Sequence, residues 1–421
     1  MLSGNMFSII DFAFGISEAI DFVSPDLNEH HKKAAYISYK IAMEMDLPDD
    51  EMRNIVLAAT LHDIGSFTCN KQSDVHFAHL GDNEMNEHPM MGYKLLSGFT
   101  PFAEAAKMIK YHHSNYDKSA KDIPMGSYII HLADKLTIKL DKSREILEQV
   151  PEILASIEKE KSILHPDVLA AFYRVAKMEY FWIDINSPQI NTDIPESIRF
   201  PQRITDIGAL IGLAKIVAQI IDFRSRFTAT HSSGVAAVAA ELAVISGFSE
   251  EECYLMKVAG YLHDIGKLAI SDDILEKNGA LNHEEFNAMR KHSYITYCIL
   301  SKIKGFEQIA VWASYHHEKL NGSGYPFHVK GENFNKLARI MAVADIVTAI
   351  TEDRPYRLGM DGERAIGILY DMVEKGEIDK GTVDIVKENF TRISDVRVKA
   401  QRDALKEYDF FYSCPEDRIN N

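Results

Sequence analysis

Leu262-His263-Asp264-Ile265-Gly266 is written a second time in this chain, as Leu61-His62-Asp63-Ile64-Gly65, 201 residues earlier (263 − 62). The surrounding text repeats in the same order. His30 precedes His62, and His231 precedes His263, by the same 32 residues (62 − 30 and 263 − 231). Upstream, Ala19-Ile20-Asp21-Phe22 matches Ile220-Ile221-Asp222-Phe223. Downstream, His88 matches His292, Tyr111-His112-His113 matches Tyr315-His316-His317, and Ala133-Asp134 matches Ala344-Asp345. The offset grows to 204 (316 − 112) and then to 211 (345 − 134). Spacing that holds within segments and grows between them marks a duplicated structural unit, because insertions collect in loops. The ends agree too: Ile163-Leu164-His165-Pro166-Asp167-Val168 resembles Ile378-Asp379-Lys380-Gly381-Thr382-Val383. Length alone suggests two or three domains. The repeat reduces this to two, residues 1–186 and 204–421, with 187–203 as the linker.

The patterning is that of helices. Val235, Val238, Leu242 and Ile245 fall three to four residues apart on one stripe, and Ile41 and Met45 continue the matching stripe of the first copy. Gly247 and Gly266 stand where helices should stop. Continuous β-branched runs bounded by turns are scarce, so both copies are expected to be all-α. The stretch from Asn186-Ser187-Pro188 to Phe200-Pro201 carries prolines and little periodicity, as a connector does.

Composition excludes several functions. Lys+Arg is 46 against Asp+Glu 62, a net charge of −16, which repels polymeric nucleic acid and anionic membranes. No uncharged apolar run reaches membrane-spanning length. The N-terminal Met1–Phe7 lacks the basic segment of a signal peptide. Cys69, Cys253, Cys298 and Cys414 show neither metal-type nor disulfide spacing. The expectation is a cytoplasmic protein without a membrane or nucleic-acid partner.

The unusual feature is the 17 histidines. Ten occupy repeated positions. His31, His76, His79, His131, His165, His283 and His328 have no repeated partner and read as surface or helix-capping residues. Imidazoles and carboxylates together suit first-row transition metals. One His-Asp dipeptide is weak evidence, but a five-histidine, two-aspartate set repeated in order is strong. Successive residues on a helix project about 100° apart, so His263 and Asp264 should not address one ion side by side. A carboxylate bridging two ions solves that geometry. Two ions about 3.5–4 Å apart would activate a bridging hydroxide and neutralise a phosphodiester's developing charge. The expected chemistry is phosphate-ester hydrolysis. No Ser-His-Asp set or P-loop competes with it.

Residues 204–400 resemble the HD-GYP family of the HD superfamily. The resemblance rests on His263-Asp264-Ile265-Gly266-Lys267, His292, and His316-His317-Glu318-Lys319-Leu320-Asn321-Gly322-Ser323-Gly324-Tyr325-Pro326, then Ala344-Asp345 and Asp353-Arg354-Pro355-Tyr356-Arg357. It implies tandem helical HD domains, the second a phosphodiesterase that opens a cyclic dinucleotide to a linear one. Cyclic di-GMP is the family's usual substrate and 3′,3′-cyclic GMP-AMP the nearest alternative. The implied metal ligands are His231, His263, Asp264, His292, His316, His317 and Asp345, holding two divalent ions, Fe or Mn ahead of Zn or Ni. Asp264 and Lys267 are the implied catalytic pair. Lys267, Asn321, Gly324, Tyr325, Arg354 and Arg357 would meet the substrate, and these cations supply the charge that the acidic surface lacks. Two departures stand out. Asn321 occupies a position where the family usually has Asp. Phe227, four before His231, stands where some members carry a Glu that recruits a third metal, so two metals are expected here.

The first copy keeps His30, His62, Asp63, His88, His112, His113 and Asp134, a candidate second metal site. It has Ser66 in place of Lys267, no GYP loop after His113 and no counterpart of the Asp353–Arg357 stretch. Asp26 could reach a metal or cap a helix. This copy reads as a degenerate, regulatory HD domain. The alternatives to an enzyme of this kind are a non-catalytic module binding nucleotide or partner, and a general nucleotide phosphohydrolase. A homodimer or signalling partner is compatible with all three.

Overall fold

The computed structural model describes residues 7–21, 29–68, 87–187, 194–195, 198, 203–204, 207–223, 230–277, 279–353 and 358–413. The chain forms two compact units, one from Ser8 to Arg203 and one from Ile204 onward. Phe7 belongs to the second unit, edge-on to Phe306 at 5.0 Å. Both units are helical, as expected. Two two-residue strands, β1 (Phe7–Ser8) and β2 (Arg203–Ile204), are the only extended elements among the described residues.

The first unit runs α1 (Ile9–Asp21), α2 (His30–Glu44), α3 (Asp49–Leu61), a 3-10 turn (Ile64–Thr68), α4 (Glu87–Ser97), α5 (Ala103–Lys110), α6 (Met125–Ile138), α7 (Ile146–Lys159), α8 (Pro166–Val175) and α9 (Glu179–Ile185). The second runs α10 (Ile207–Phe223), α11 (His231–Ile245), α12 (Glu250–Leu262), a 3-10 turn (Ile265–Ala269), α13 (Asp272–Leu275), α14 (His283–Leu300), α15 (Glu307–Ser314), α16 (Lys336–Thr351), α17 (Gly362–Glu374), α18 (Lys380–Glu388) and α19 (Phe390–Ser413). Helix answers helix: α2 to α11, α3 to α12, α5 to α15 and α6 to α16.

In each unit the helix that begins with the first histidine is the central one. In the second, α11 packs against α12, α16 and α19. Val235, Val238 and Leu242 are fully buried as the stripe requires, but Ser232, Gly234, Ala236 and Ala239 are buried too. Small residues on the remaining faces let three neighbours approach, and Gly234 already sits against the Thr348 and Gln401 side chains. In the first unit α2 packs on α3, α6 and α8 in the same manner.

The helix ends repeat as well. Gly247 adopts φ 79° after α11, and Phe248 N–H returns to the Ala243 carbonyl at 3.2 Å. This is the left-handed C-terminal cap that glycine favours. Asp46 takes the equivalent place after α2 with φ 53°, and Leu47 N–H reaches Ala42 O at 3.2 Å. Gly266 corrects the sequence expectation. It does not stop a helix, since α12 has already ended at Leu262 and Gly266 lies within the following 3-10 turn. Its role is close approach: a Cβ there would stand 2.0 Å from the His292 carbonyl oxygen. Gly65 has the same relation to His88 O, at 2.1 Å. These glycines press the His-Asp segment against the helix that carries the next histidine.

Candidate metal centres

In the second unit His231 opens α11, His263 closes α12, His292 lies within α14, His316 and His317 follow α15, and Asp345 lies within α16. Asp222, at the end of α10, fixes the first of these. Its buried carboxylate accepts from Ser232 N–H at 3.2 Å and Ser232 O–H at 2.8 Å, pinning the start of α11. Burial lifts the Asp222 carboxyl to about 7.

Four of these side chains, His231, His263, His292 and His316, converge on Asp264. Its Oδ2 is 3.2 Å from His263 Nε2, and its Oδ1 is 3.5 Å from His292 Nε2 and 3.9 Å from His316 Nε2. Asp345 Oδ1 lies 3.2 Å from His231 Nε2 and 4.0 Å from His263 Nε2. Two donor groups result, His231 with His263 and Asp264, and His292 with His316 and His317, each with its ligand atoms within 4.8 Å of one another. Asp264 spans them. His263 and Asp264 do address one spot, against the simple helix projection, because Asp264 has left the helix: its backbone sits at φ −102°, ψ 10°.

Tautomers show that this donor set fits a metal. The Nδ1 atoms of His263, His292 and His316 each meet a main-chain carbonyl three residues back, Gly260, Met289 and Ala313, at 2.8, 2.6 and 2.7 Å. Nδ1–H must donate there, which leaves Nε2 as a lone pair facing inward. His292 Nε2 and His316 Nε2 are then two lone pairs 3.1 Å apart. Such a pair is unfavourable unless a cation lies between them. Burial holds His316 and His317 low and His292 at about 3, so these rings are neutral, the form that ligates. Burial opposes the charge on Asp264, yet His263 and Lys267 outweigh it and keep the carboxylate ionised. Asp345 is held low likewise, burial being overcome by its hydrogen bond from His231.

Lys267 projects from the 3-10 turn and places Nζ 2.5 Å from Asp264 Oδ2. Gly324 and Tyr325 also lie beside the centre. Tyr325 N–H donates to His317 O at 3.1 Å, and its ring lies 4.9 Å from the His317 ring. A Cβ on Gly324 would stand 2.5 Å from His317 O, so only glycine lets the loop return there. The buried Glu318 anchors the same loop by accepting from Phe327, His328 and Val329 N–H at 2.6, 3.1 and 3.0 Å. Asn321 stands on the same loop. It is exposed and engages the loop itself, with Oδ1 accepting from Ser323 and Nδ2 donating to Lys375 O at 3.1 Å. Arg354, Arg357, Phe227 and Asp26 lie outside the described residues, as do His76 and His79.

Two residues that sequence reasoning missed stand at this centre. Arg290 places its guanidinium 4.8 Å over the Tyr325 ring, putting a cation two residues before His292. Glu352 is buried, with both oxygens 3.1–3.2 Å from His231 Nδ1. Gln401 of α19 donates to Glu352 at 3.1 Å, and Arg397 donates to Gln401 at 2.6 Å. Burial opposes charge on His231, yet Glu352 and Asp345 hold its pKa well above the usual range.

The first unit builds the same figure. Asp63 Oδ2 faces His62 at 3.2 Å and His30 at 3.7 Å, and Oδ1 faces His88 at 3.3 Å and His112 at 3.9 Å. Asp134 Oδ1 lies 3.3 Å from His30, and Asp134 Oδ2 lies 3.9 Å from His113 Nδ1. His62 and His112 turn Nδ1 to the Ala59 and Ile109 carbonyls, and burial holds His113 at about 4. Two histidines expected at the surface are instead inside. His31 is fully buried beside Asp63, and His131 is buried with Nδ1 3.0 Å from Ser114 O. His165 does cap a helix, accepting from Asp167 N–H ahead of α8.

An HD-domain model matches residues 215–381 and another matches residues 28–138. The chain therefore belongs to the HD superfamily and carries two HD domains in tandem, the second of the HD-GYP kind. It is 27% identical over 396 residues to 3′3′-cGAMP-specific phosphodiesterase 1 of Vibrio cholerae, which covers 89% of this chain and 90% of that protein. It is 39% identical over 156 residues to the cyclic di-GMP phosphodiesterase response regulator RpfG of Xanthomonas campestris, 37% of this chain and 41% of that one. Its fold resembles the crystal structure of a cyclic GMP-AMP-specific phosphodiesterase of V. cholerae, with TM-score 0.63 and 20% identity, covering 98% of this chain and 100% of that one. Among the described residues no helix is long and apolar enough to cross a membrane.

Proposed function

We propose that the chain is a metal-dependent phosphodiesterase that opens a cyclic dinucleotide at the second unit's centre, with 3′,3′-cyclic GMP-AMP preferred over cyclic di-GMP. The observation that carries the reaction class is the convergence of two imidazole-bearing donor groups on the Asp264 carboxylate, with Lys267 on one of its oxygens. His231, His263, Asp264 and Asp345 would hold one divalent ion and His292, His316 and His317, with Asp264 shared, a second. This mixture of imidazole and carboxylate suits first-row divalent ions, and the family resemblance favours Fe or Mn over Zn or Ni. When bound, such ions supply Lewis acidity toward phosphate and a nucleophile at neutral pH.

The protein's own groups do the positioning. Lys267 brings a positive charge to the carboxylate face where a phosphate oxygen would arrive, and Arg290 brings a second to the rim beside Tyr325. Burial keeps the Tyr325 hydroxyl protonated, so it can donate a hydrogen bond and offer its ring to a base. The substrate preference rests on extent of likeness. The resemblance in sequence motifs alone favours cyclic di-GMP, but the cyclic GMP-AMP enzyme matches both halves of this chain, whereas RpfG matches little more than a third of it.

Purified protein, loaded anaerobically with Fe(II) or Mn(II), should linearise cyclic GMP-AMP faster than cyclic di-GMP when products are resolved by chromatography. No turnover of either compound would overturn the reaction class, and faster turnover of cyclic di-GMP would overturn the preference. His263→Ala should abolish turnover while His62→Ala leaves most of it; the reverse pattern would move catalysis to the first unit.

A further inference from the structure

His31 follows His30 on α2, and the corresponding residue of the second unit is Ser232. The imidazole is fully buried. Its Nε2 lies 3.6 Å from Asp63 Oδ2, the oxygen that His62 Nε2 approaches at 3.2 Å. His31, His62 and Asp63 can bring their ligand atoms within 4.8 Å of one another. In the second unit the equivalent oxygen, Asp264 Oδ2, is likewise 3.2 Å from His263 Nε2, but Lys267 Nζ stands on it at 2.5 Å. The first unit has Ser66 in the place of Lys267, with its hydroxyl donating to the Asp63 carbonyl at 2.6 Å. Ammonium offers only donors, so it can hold a phosphate and never a metal, whereas a neutral imidazole can ligate a metal. At one carboxylate oxygen the two copies have exchanged an ammonium, which cannot ligate a metal, for an imidazole, which can.

We propose that the first unit holds a metal centre of its own in which His31 is a ligand additional to the set shared by the two copies, making it a closed, metal-retaining site. His31 then joins His62 and Asp63 in one donor group, next to the group of His30, His62 and Asp134 that shares His62. The second unit groups His231, His263 and Asp264 and has Ser232 in the place of His31. Hydrolytic metal sites keep a coordination position open for water and substrate, while structural ones fill it with protein. The class of ligand is a first-row divalent cation, and the site needs no nucleotide. This inference does not depend on what the second unit hydrolyses.

Cobalt(II) tests it without any turnover. Full-length protein stripped of metal is titrated with Co(II), reading visible absorption and competition with a chelator, for wild type, His62→Ala and His31→Ser. His62→Ala should remove the first unit's share of bound cobalt. His31→Ser should weaken that share by about 10- to 100-fold and change its absorption bands, leaving the second unit's share as in wild type. If His62→Ala removes no cobalt, the first unit has no centre and the proposal fails. If His62→Ala removes cobalt but His31→Ser leaves bands and affinity unchanged, His31 is a packing residue and the proposal fails. Should His31→Ser lack native circular dichroism, His31→Gln is read by the same criteria.

Discussion

Glu352 offers a direct test of how the second centre is tuned. Its carboxylate receives His231 Nδ1–H at 3.1–3.2 Å in a buried setting, while His231 Nε2 faces Asp345. A hydrogen bond to a charged group contributes about 1.5–3 kcal/mol. Outer partners of metal-bound histidines typically change metal affinity by about 10- to 100-fold, which is about 1.4–2.7 kcal/mol. The two estimates agree. Glu352→Ala should therefore weaken the second unit's metal by about one to two orders of magnitude, because His231 loses both its tautomer and the charge behind it. Gln401 also loses its acceptor. Glu352→Gln keeps an acceptor for Nδ1–H and should fall between wild type and Ala. The assay is metal affinity by chelator competition, with turnover measured at limiting and at saturating metal. Turnover of Glu352→Ala should recover substantially when metal is raised. Metal affinity in Glu352→Ala equal to wild type would refute the reasoning, as would a turnover defect that saturating metal leaves untouched.

Three other outcomes are expected. Gly266→Ala should cost about 1–3 kcal/mol, since its Cβ meets the His292 carbonyl at 2.0 Å and backbone must move; thermal melts and elemental analysis should show lower stability and less metal. Lys267→Ala should retain the metals but lower kcat/KM for the cyclic dinucleotide by about 100-fold, as loss of one charge-stabilising donor does; full activity in the variant would remove Lys267 from the site. Stripping metal that had been present at about 100 times its dissociation constant should remove about 2.7 kcal/mol of stability and lower the melting temperature of a domain of this size by about 5–11 °C, as read by calorimetry.

Much of this was legible in the sequence for a physical reason. A metal centre fixes residue types, and helices fix spacing, so duplication left His62-Asp63 and His263-Asp264 in matching text. What escaped was whatever depends on the third dimension. His31 was set aside because the repeat credits only paired positions, yet α2 is enclosed by α3, α6 and α8, so even the neighbour of a ligand faces inward. Glu352 lies outside the repeated ligand set. A signal was present: Asp345, Thr348 and Glu352 fall at i, i+3 and i+7 along α16, one face of the helix extended to its C-terminal boundary. The loop contacts of Asn321 were equally invisible: a short polar side chain in a tight loop finds backbone partners, here Ser323 N–H and the Lys375 carbonyl. Arg290 meets Tyr325 only because the loop after His317 folds back, which no local pattern records.

The duplication also isolates what distinguishes the two centres. Thr137 of the first unit holds His30 Nδ1 through its hydroxyl at 2.9 Å. The same position in the second unit is Thr348 (137 + 211), whose hydroxyl is buried with no hydrogen-bond partner among the described residues. There Glu352, the residue that follows α16, has taken over the first histidine. So one copy orients that ligand with a neutral hydroxyl and the other with a carboxylate, which makes the imidazole a stronger donor to metal. On the opposite side, the second copy sets the Lys267 ammonium against its central aspartate and the first sets His31. Both exchanges bring formal charge into the second unit, negative behind His231 and positive before Asp264, while the first has a hydroxyl and an imidazole at those places. A fixed dipole across the centre favours a reaction in which charge develops on phosphate. An additional ligating side chain closing around a cation favours its retention. On this reading, two substitutions on the same fold divide a hydrolytic centre from a metal-keeping one.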